Sequence, residues 1–422
     1  MSFQQGVTGL TSAGRNLEVI GNNVANASTV GAKASRAEFA DIYARASGGG
    51  AGSAGLGVAV TAVAQQFSQG SISSTDNPLD VAINGAGFFQ LQDPTGAMVY
   101  SRNGQFKVDR EGYVTNSDDM KLMAIPVTYQ DGQIPGKSQP LQLPTSGIAP
   151  KQTSTMNMEI NLDARQSAKI DSATNAPVAI DFTDATTYNN STSINIYDTK
   201  GQQVSMTYFF QKVANNTWDV YATANGETVG GTADAPAPIT RVEFPDDGTP
   251  PTSPSEPISV AIPATGVGTS TETVAFESVV MDMTKLTQFG SAFGPTDVSQ
   301  DGFPPGRLSS ISIENDGTVI GSYSSGQSAA IARIELANFR NAQGLQPLGG
   351  NVWASTYDSG DPVIGTPGGG NLGLLQSKAV EESNVDLTQE LVNMMVAQRI
   401  YQANAQTIKT QDSVMQTLVS LR

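Results

Sequence analysis

Few side chains in this 422-residue sequence are equipped for covalent chemistry. It contains no His, so no imidazole can act as a base near neutral pH or bind a transition metal. It contains no Cys, so no thiolate can attack, ligate zinc or form a disulfide. The patterns left to weigh are carboxylate pairs and glycine runs. The pairs Asp118-Asp119 and Asp246-Asp247 could offer oxygens to a calcium ion, but adjacent carboxylates lack the alternating spacing of a calcium loop and read better as solvated turns. Two carboxylates facing across a cleft suffice to hydrolyse a glycoside, but spacing along the chain does not place such a pair. Gly55-Leu56-Gly57 and Gly85-Ala86-Gly87 lack the third glycine, the helix start and the lysine of a phosphate cradle, and read as turns or connectors. The expectation is no enzyme, no metal and no cofactor.

The chemistry left is burial of apolar surface. Charged residues make up 15% of the chain, against roughly a quarter in ordinary soluble domains. The net charge of −16 leaves no basic face for phosphates or anionic lipid, which sets nucleic acid and membrane surfaces aside as partners. No basic segment precedes Arg15, no apolar core follows the start, and nowhere do some 18 apolar residues run together, so neither a cleaved signal peptide nor a membrane span is expected.

The clearest periodicity lies at the two ends. Within residues 1–27, Phe3, Val7, Leu10, Leu17 and Val24 fall at steps of three and four, with Gly14 and Gly21 at the missing positions; that spacing predicts a helix with one narrow apolar stripe. Only Arg15 and Glu18 are charged in the first 32 residues, so the helix has little to hold it in water alone. From Leu387 the residues Leu391, Met394, Tyr401, Ala405, Ile408, Met415 and Val419 repeat the pattern, interrupted by Gln398 and Asp412. Asp386 with Gln389, or Ser383 with Asp386, offers an N-cap, and about 35 residues then follow without Gly or Pro, a helix of roughly 50 Å. Covering a dozen seam side chains gives roughly 20 to 35 kcal/mol gross. Ordering the backbone costs about 1 to 2 kcal/mol per residue. A two-helix arm alone is therefore marginal, and neighbouring copies are expected to complete its burial. A head-to-tail contact that does not close generates an open helical filament.

Between the ends the pattern turns to short alternating strands. Hairpins are predicted from Leu79, Val81 and Ile83 through Asn84-Gly85 to Phe88, Phe89 and Leu91, and from Phe106 and Val108 across residues 109–112. Two more are predicted across residues 315–317 and across residues 198–201. A tract with Pro250, Pro251, Pro254, Pro257 and Pro263 reads as a long loop. Composition divides the chain into a terminal helical assembly domain (1–30 and 384–422), a linker region (31–70, with a Gly-rich run from Gly48 to Gly57), a discontinuous inner β domain (71–150 and 286–383) and an inserted outer β domain (151–285). The fold class expected is mixed but mainly β, with long terminal helices pairing as a coiled-coil-like core and two β-rich domains between.

Asn22, Asn23 and Asn26, followed by Ser28 to Gly31, are compatible with nothing more than a helix C-terminus, where Asn and Gly tolerate the left-handed conformation. As a string, however, the segment resembles the shared N-terminal motif of the flagellar axial rod and hook family, and Val30-Gly31-Ala32-Lys33 with Arg36 to Asp41 resembles its hook branch. The likeness continues through Asn77 to Gly85, Gly87-Phe88-Phe89, Arg102-Asn103-Gly104, Thr287 to Gly290, Gly344 to Pro347, Ser383 to Leu387, Leu391 to Arg399 and Tyr401 to Asn404. Ala32 stands where an aromatic is common, and residues 151–285 are only loosely similar. The resemblance implies an extracellular, self-polymerising subunit of a curved tube on the bacterial flagellum, passing torque from rod to filament. It also implies export through the flagellar apparatus, with distal rod protein, hook–filament junction protein and hook cap as neighbours. Self-assembly is expected to rest on Phe3, Val7, Leu10, Leu17, Val24, Asn22, Asn23, Asn26, Leu387, Leu391, Met394, Tyr401, Ile408, Met415 and Val419. The alternatives are a straight distal rod subunit and a secreted β-rich adhesin.

Overall fold

A computed structural model describes residues 2–42, 57–127, 136–144, 147–172, 174, 176–247, 250–269 and 272–420. The chain is mainly β with one long helix at each end, α1 (Ser2–Ala25) and α2 (Leu387–Ser420). It divides into two compact units, one of Met1–Thr145, Ser309–Ser322 and Ser328–Arg422, the other of Ser146–Leu308 and Tyr323–Gln327. No helix among the described residues is long and apolar enough to cross a membrane.

In the helix-bearing unit, α1 is followed by β1 (Ser35–Ile42) and β2 (Gly57–Gln65), an antiparallel pair within the segment read as a linker. Most of the Gly-rich run, residues 48–56, lies outside the described residues. The β body that follows is built on a path of neighbouring strands, Ser328–Ile334, Lys121–Pro126, Phe88–Gln92, Met98–Ser101, Val352–Ala354 and Gln346–Gly349. Its aromatic core packs edge to face: Phe67 and Trp353 each meet Phe88 at 5.4 and 5.8 Å between ring centroids, and Phe339 lies 4.7 Å from Tyr100. Such offsets suit the ring quadrupole and add to the area buried.

The β-only unit joins two sheets over one core. Thr155–Asn161 alternates strictly, with Met156, Met158 and Ile160 inward and Asn157 and Glu159 outward, which is the period of a half-buried strand. These side chains meet Tyr208, Phe210, Trp218 and Val220 from the other sheet, and Phe276, Val279 and Met281 close the layer. The indole N–H of Trp218 donates to Gln288 Oε1 at 2.8 Å, so the largest buried side chain leaves no polar atom unpaired.

The hairpins expected at residues 109–112, 198–201 and 315–317 are present. The one at Asn84-Gly85 is not. Val81–Asn84 pairs with Leu374–Ser377, whereas Phe88–Gln92 pairs with Met98–Ser101 and Lys121–Pro126. Gly85 instead has φ 122° and lies against Gly373, so a pairing nearly 300 residues distant overrides the local turn signal. The Pro-rich tract is likewise not all loop. Ile258–Ile262 forms a strand on Phe276–Asp282, placed between prolines where every ladder N–H is available.

Candidate functional site

The helical ends pack on each other and are tied to the β body by a buried polar knot. α1 and α2 run antiparallel: Gly6 lies beside Ile408, Gly9 beside Asn404, Gly14 near Tyr401, and Asn23 Nδ2 donates to Glu390 Oε1 at 3.1 Å. The approach is close. A Cβ on Gly9 would sit 3.0 Å from the Asn404 amide, and one on Gly6 3.1 Å from Ile408 Cγ1. The N-terminus of α2 is capped by Asp386, whose carboxylate accepts the N–H groups of Thr388 and Gln389 at 2.9 and 3.1 Å. The other side of α1 meets the hairpin, where Ser12 Oγ donates to the Val58 carbonyl.

The buried face of α1 is therefore Gly6, Ser12, Ala13, Ile20 and Asn23. Leu10, Leu17 and Val24 are half-buried and Val7 is exposed, while the Phe3 side chain lies outside the described residues. On α2, Met394 and Ile408 are half-buried and Ala397 is the one fully buried position among the described residues. Leu387, Leu391 and Tyr401 are exposed, Met415 is 61% exposed and Val419 75%. Val392, Met395, Val396 and Ile400 extend this open apolar surface. Because Ile408 already lies beside Gly6, the last turns of α2 run past the start of α1.

The three asparagines take different roles. Asn22 is exposed and accepts from Asn26 Nδ2. Asn23 is buried and makes the structural bonds: Nδ2 donates to the Ser35 carbonyl at 2.8 Å and Oδ1 accepts the Ser35 N–H at 2.8 Å, as a neighbouring strand would. That pair starts β1 beside the end of α1. Gly31 has φ 73°, and a Cβ there would fall 2.7 Å from Asn103 N, so the turn between α1 and β1 requires glycine.

Beyond Gly31 lies the knot. Lys33 Nζ donates to Glu381 Oε1 at 2.7 Å and to the Ser68 carbonyl at 2.8 Å, and Arg102 Nη1 reaches Glu381 Oε2 at 3.2 Å. The Lys33 and Glu381 side chains are wholly buried and that of Arg102 nearly so, its guanidinium over the Phe88 ring. Burial lowers the Lys33 pKa, opposed by the hydrogen bond and charge of Glu381. Gly70 N–H also donates to Glu381 Oε1, and Gly31 N–H to the Glu381 carbonyl. Three residues on, Asn384 Oδ1 accepts the Ala34 N–H, and its Nδ2 donates to the Gln66 and Ser68 carbonyls.

Sequence reasoning singled out Lys33, Arg102 and Asn384 only as parts of motif strings, and Glu381 not at all. The available signal was a lysine set between Ala32 and Ala34 and preceded by fourteen uncharged residues, which asks for a buried partner. The carboxylate pairs show no such organisation: Asp119 pairs with Lys107 on an open surface, Asp246 accepts from Asn216, and no group of three potential metal ligands occurs among the described residues. Gly55 and Leu56 lie outside the described residues.

The chain is similar to known proteins over its whole length. The sequence is 40% identical over 427 residues to the flagellar hook protein FlgE of Salmonella typhimurium and 39% over 431 to that of Escherichia coli, covering each chain completely. The chain belongs to the flagellar hook protein family. Family models agree in chain order: a flagella basal body rod protein model over residues 3–33, a flagellar hook protein FlgE/F/G D1 domain over 82–171, a FlaE D2 domain over 161–303 and a rod FlgEFG C-terminal model over 376–421. The crystal structure of Helicobacter pylori flagellar hook protein FlgE2, 14% identical, superposes with a TM-score of 0.50 over 73% of this chain and all of that one, which shows a shared fold. As a flagellar hook family protein, the chain is a structural component of the bacterial flagellum and not an enzyme.

Proposed function

We propose that the chain polymerises through its terminal helices into the curved tube that couples rod to filament and transmits torque. The observation that carries this is the open apolar surface of α2: Leu391, Met395 and Ile400 are exposed beside the stretch paired with α1, and Met415 and Val419 are exposed where the helix end overhangs its partner. Covering the remaining surface of five such side chains contributes on the order of 5 kcal/mol per copy. The antiparallel contact of α1 and α2 supports a coiled-coil-like pairing that neighbouring copies complete, with the half-exposed Leu10, Leu17 and Val24 forming a second strip. In this reading residues 1–30 and 384–422 assemble, 31–70 link, 71–150 with 286–383 form an inner β domain and 151–285 an outer one, although the compact β-only unit runs on to Leu308, with Gly294–Gln300 paired to Thr155–Asn161. The site is extracellular, and the neighbours besides further copies are the distal rod protein, the hook–filament junction protein, the hook cap and the export apparatus.

The test is electron microscopy of the purified chain beside the double variant Met395→Lys, Ile400→Lys. The wild type forms curved tubes. The variant, whose new charges sit on surface already exposed in the single chain, stays discrete with an unchanged unfolding midpoint. Straight rods would favour a distal rod subunit, discrete wild-type particles an adhesin, and tubes from the variant would remove this face from the interface. Deleting residues 151–285 is expected to leave tubes but change their curvature or stiffness.

A further inference from the structure

We propose that the buried cluster of Lys33, Glu381 and Arg102 is a direction-setting joint: it fixes the angle at which the helices leave the β body, at no gain in the stability of the chain. This concerns the single molecule and stands whether or not the chain polymerises. Among the described residues the polypeptide passes between the helix–hairpin layer and the β body twice, after β2 and before α2, and Asn351 Nδ2 and Trp353 Nε1 add single bonds to the Val30 carbonyl and Gln65 Oε1. Both passages are bound at Glu381. Its Oε1 holds Gly70 N–H at 2.9 Å on the first passage, its main chain lies on the second, and its carbonyl takes Gly31 N–H at 2.8 Å from the segment leaving α1. Arg102, rooted in the β body beside Phe88, grips the other carboxylate oxygen.

The chemistry of the cluster argues against a stabilising role. Two cations share one carboxylate in a site closed to water, and Arg102 Nε is buried with no acceptor among the described residues. Desolvating three charges commonly cancels their attraction, and apolar groups of equal volume serve stability as well or better. What apolar groups cannot supply is direction. The carboxylate prefers donors near its plane, so four bonds converging on Glu381 favour one mutual orientation of the two passages and the body.

The absence of native Cys allows clean labelling of the full chain. Spin labels at Glu111→Cys in the β body and Gln402→Cys on α2, both exposed, report the distance between body and helix in dilute solution. Wild type should give one narrow distribution. Glu381→Gln, which keeps the shape but places an amide N–H against a cation, should at least double its width. The apolar set Lys33→Met, Arg102→Met, Glu381→Leu should broaden it equally while its unfolding midpoint stays at or above that of wild type. A wild-type width in the apolar set would overturn the proposal, because packing alone would then set the angle. A lowered midpoint, or failure of both variants to fold, would overturn it equally by making the cluster a stability element.

Discussion

The β-only unit and the terminal helices use similar apolar side chains to opposite ends. In the β-only unit, Met156, Tyr208, Phe210, Trp218 and Phe276 are all at most 2% exposed, because strands from two sheets supply walls on both sides. On α2, Met395 and Met415 are more than half exposed: Met395 lies on a face that no described residue covers, and Met415 lies where α2 has run past the start of α1. One region has completed its burial within a single copy, and the other presents the unfinished half outward. Hydrophobic composition alone does not distinguish them; what differs is whether the chain returns to cover each face. The difference predicts where mutations register: in the unfolding of one molecule for the first region, in assembly for the second.

The sharpest test of this contrast is Trp218→Ala, which opens a cavity in a closed core and leaves Gln288 without its indole partner. It is expected to cost about 4 kcal/mol in denaturant unfolding of the β-only unit while tubes still form. A comparable cost from Ile400→Ala would break the comparison. Next is Lys33→Ala, which removes one of two cations from a wholly buried carboxylate and is expected to cost about 3 kcal/mol in the unfolding of the helix-bearing unit, far more than the apolar set that removes all three charges. Asn23→Ala deletes the paired bonds to Ser35 and should cost about 2 kcal/mol by the same measurement, with loss of amide-exchange protection at Ser35.

A smaller effect concerns acid. Burial pushes the Asp301 carboxyl up, but the hydroxyl and N–H of Ser154, the N–H of Thr155 and the Lys151 ammonium outweigh it and hold the carboxyl well below the ordinary range. A carboxyl depressed on folding contributes stability above the unfolded value, about 3.9, and loses it as pH falls through the folded value. The unfolding midpoint of the β-only unit should therefore be level above about pH 4 and fall below it, and Asp301→Asn should flatten that fall. Smallest of all, Met415→Ala should change the unfolding of the single chain by less than about 0.5 kcal/mol while raising the concentration needed for tubes.

Much of the mainly β architecture was legible because its signals are local. Turn residues marked the hairpins at 109–112, 198–201 and 315–317, and three-four spacing with Asp386 ahead of it marked α2. Less of the site could be read. The stripe of Val7, Leu10, Leu17 and Val24 is real as a pattern, but α1 turns Gly6, Ala13 and Ile20 inward instead, since glycine and alanine allow α2 to approach closely and score weakly as hydrophobes. Asn84-Gly85 misled for the converse reason, a strong local signal yielding to a distant strand.

From the sequence by itself came the element types, the helical ends, the absence of thiol and imidazole, and the motif strings that resemble its family, all of which depend on residue identity or on spacing within a few turns. Only the tertiary structure decided which face of each helix is spent inside the molecule and that Lys33, Arg102 and Glu381 share one closed site. A charge reveals its partner only when the chain has folded back across some 350 residues, and a helix face becomes buried or bare only by what the remainder of the chain brings against it.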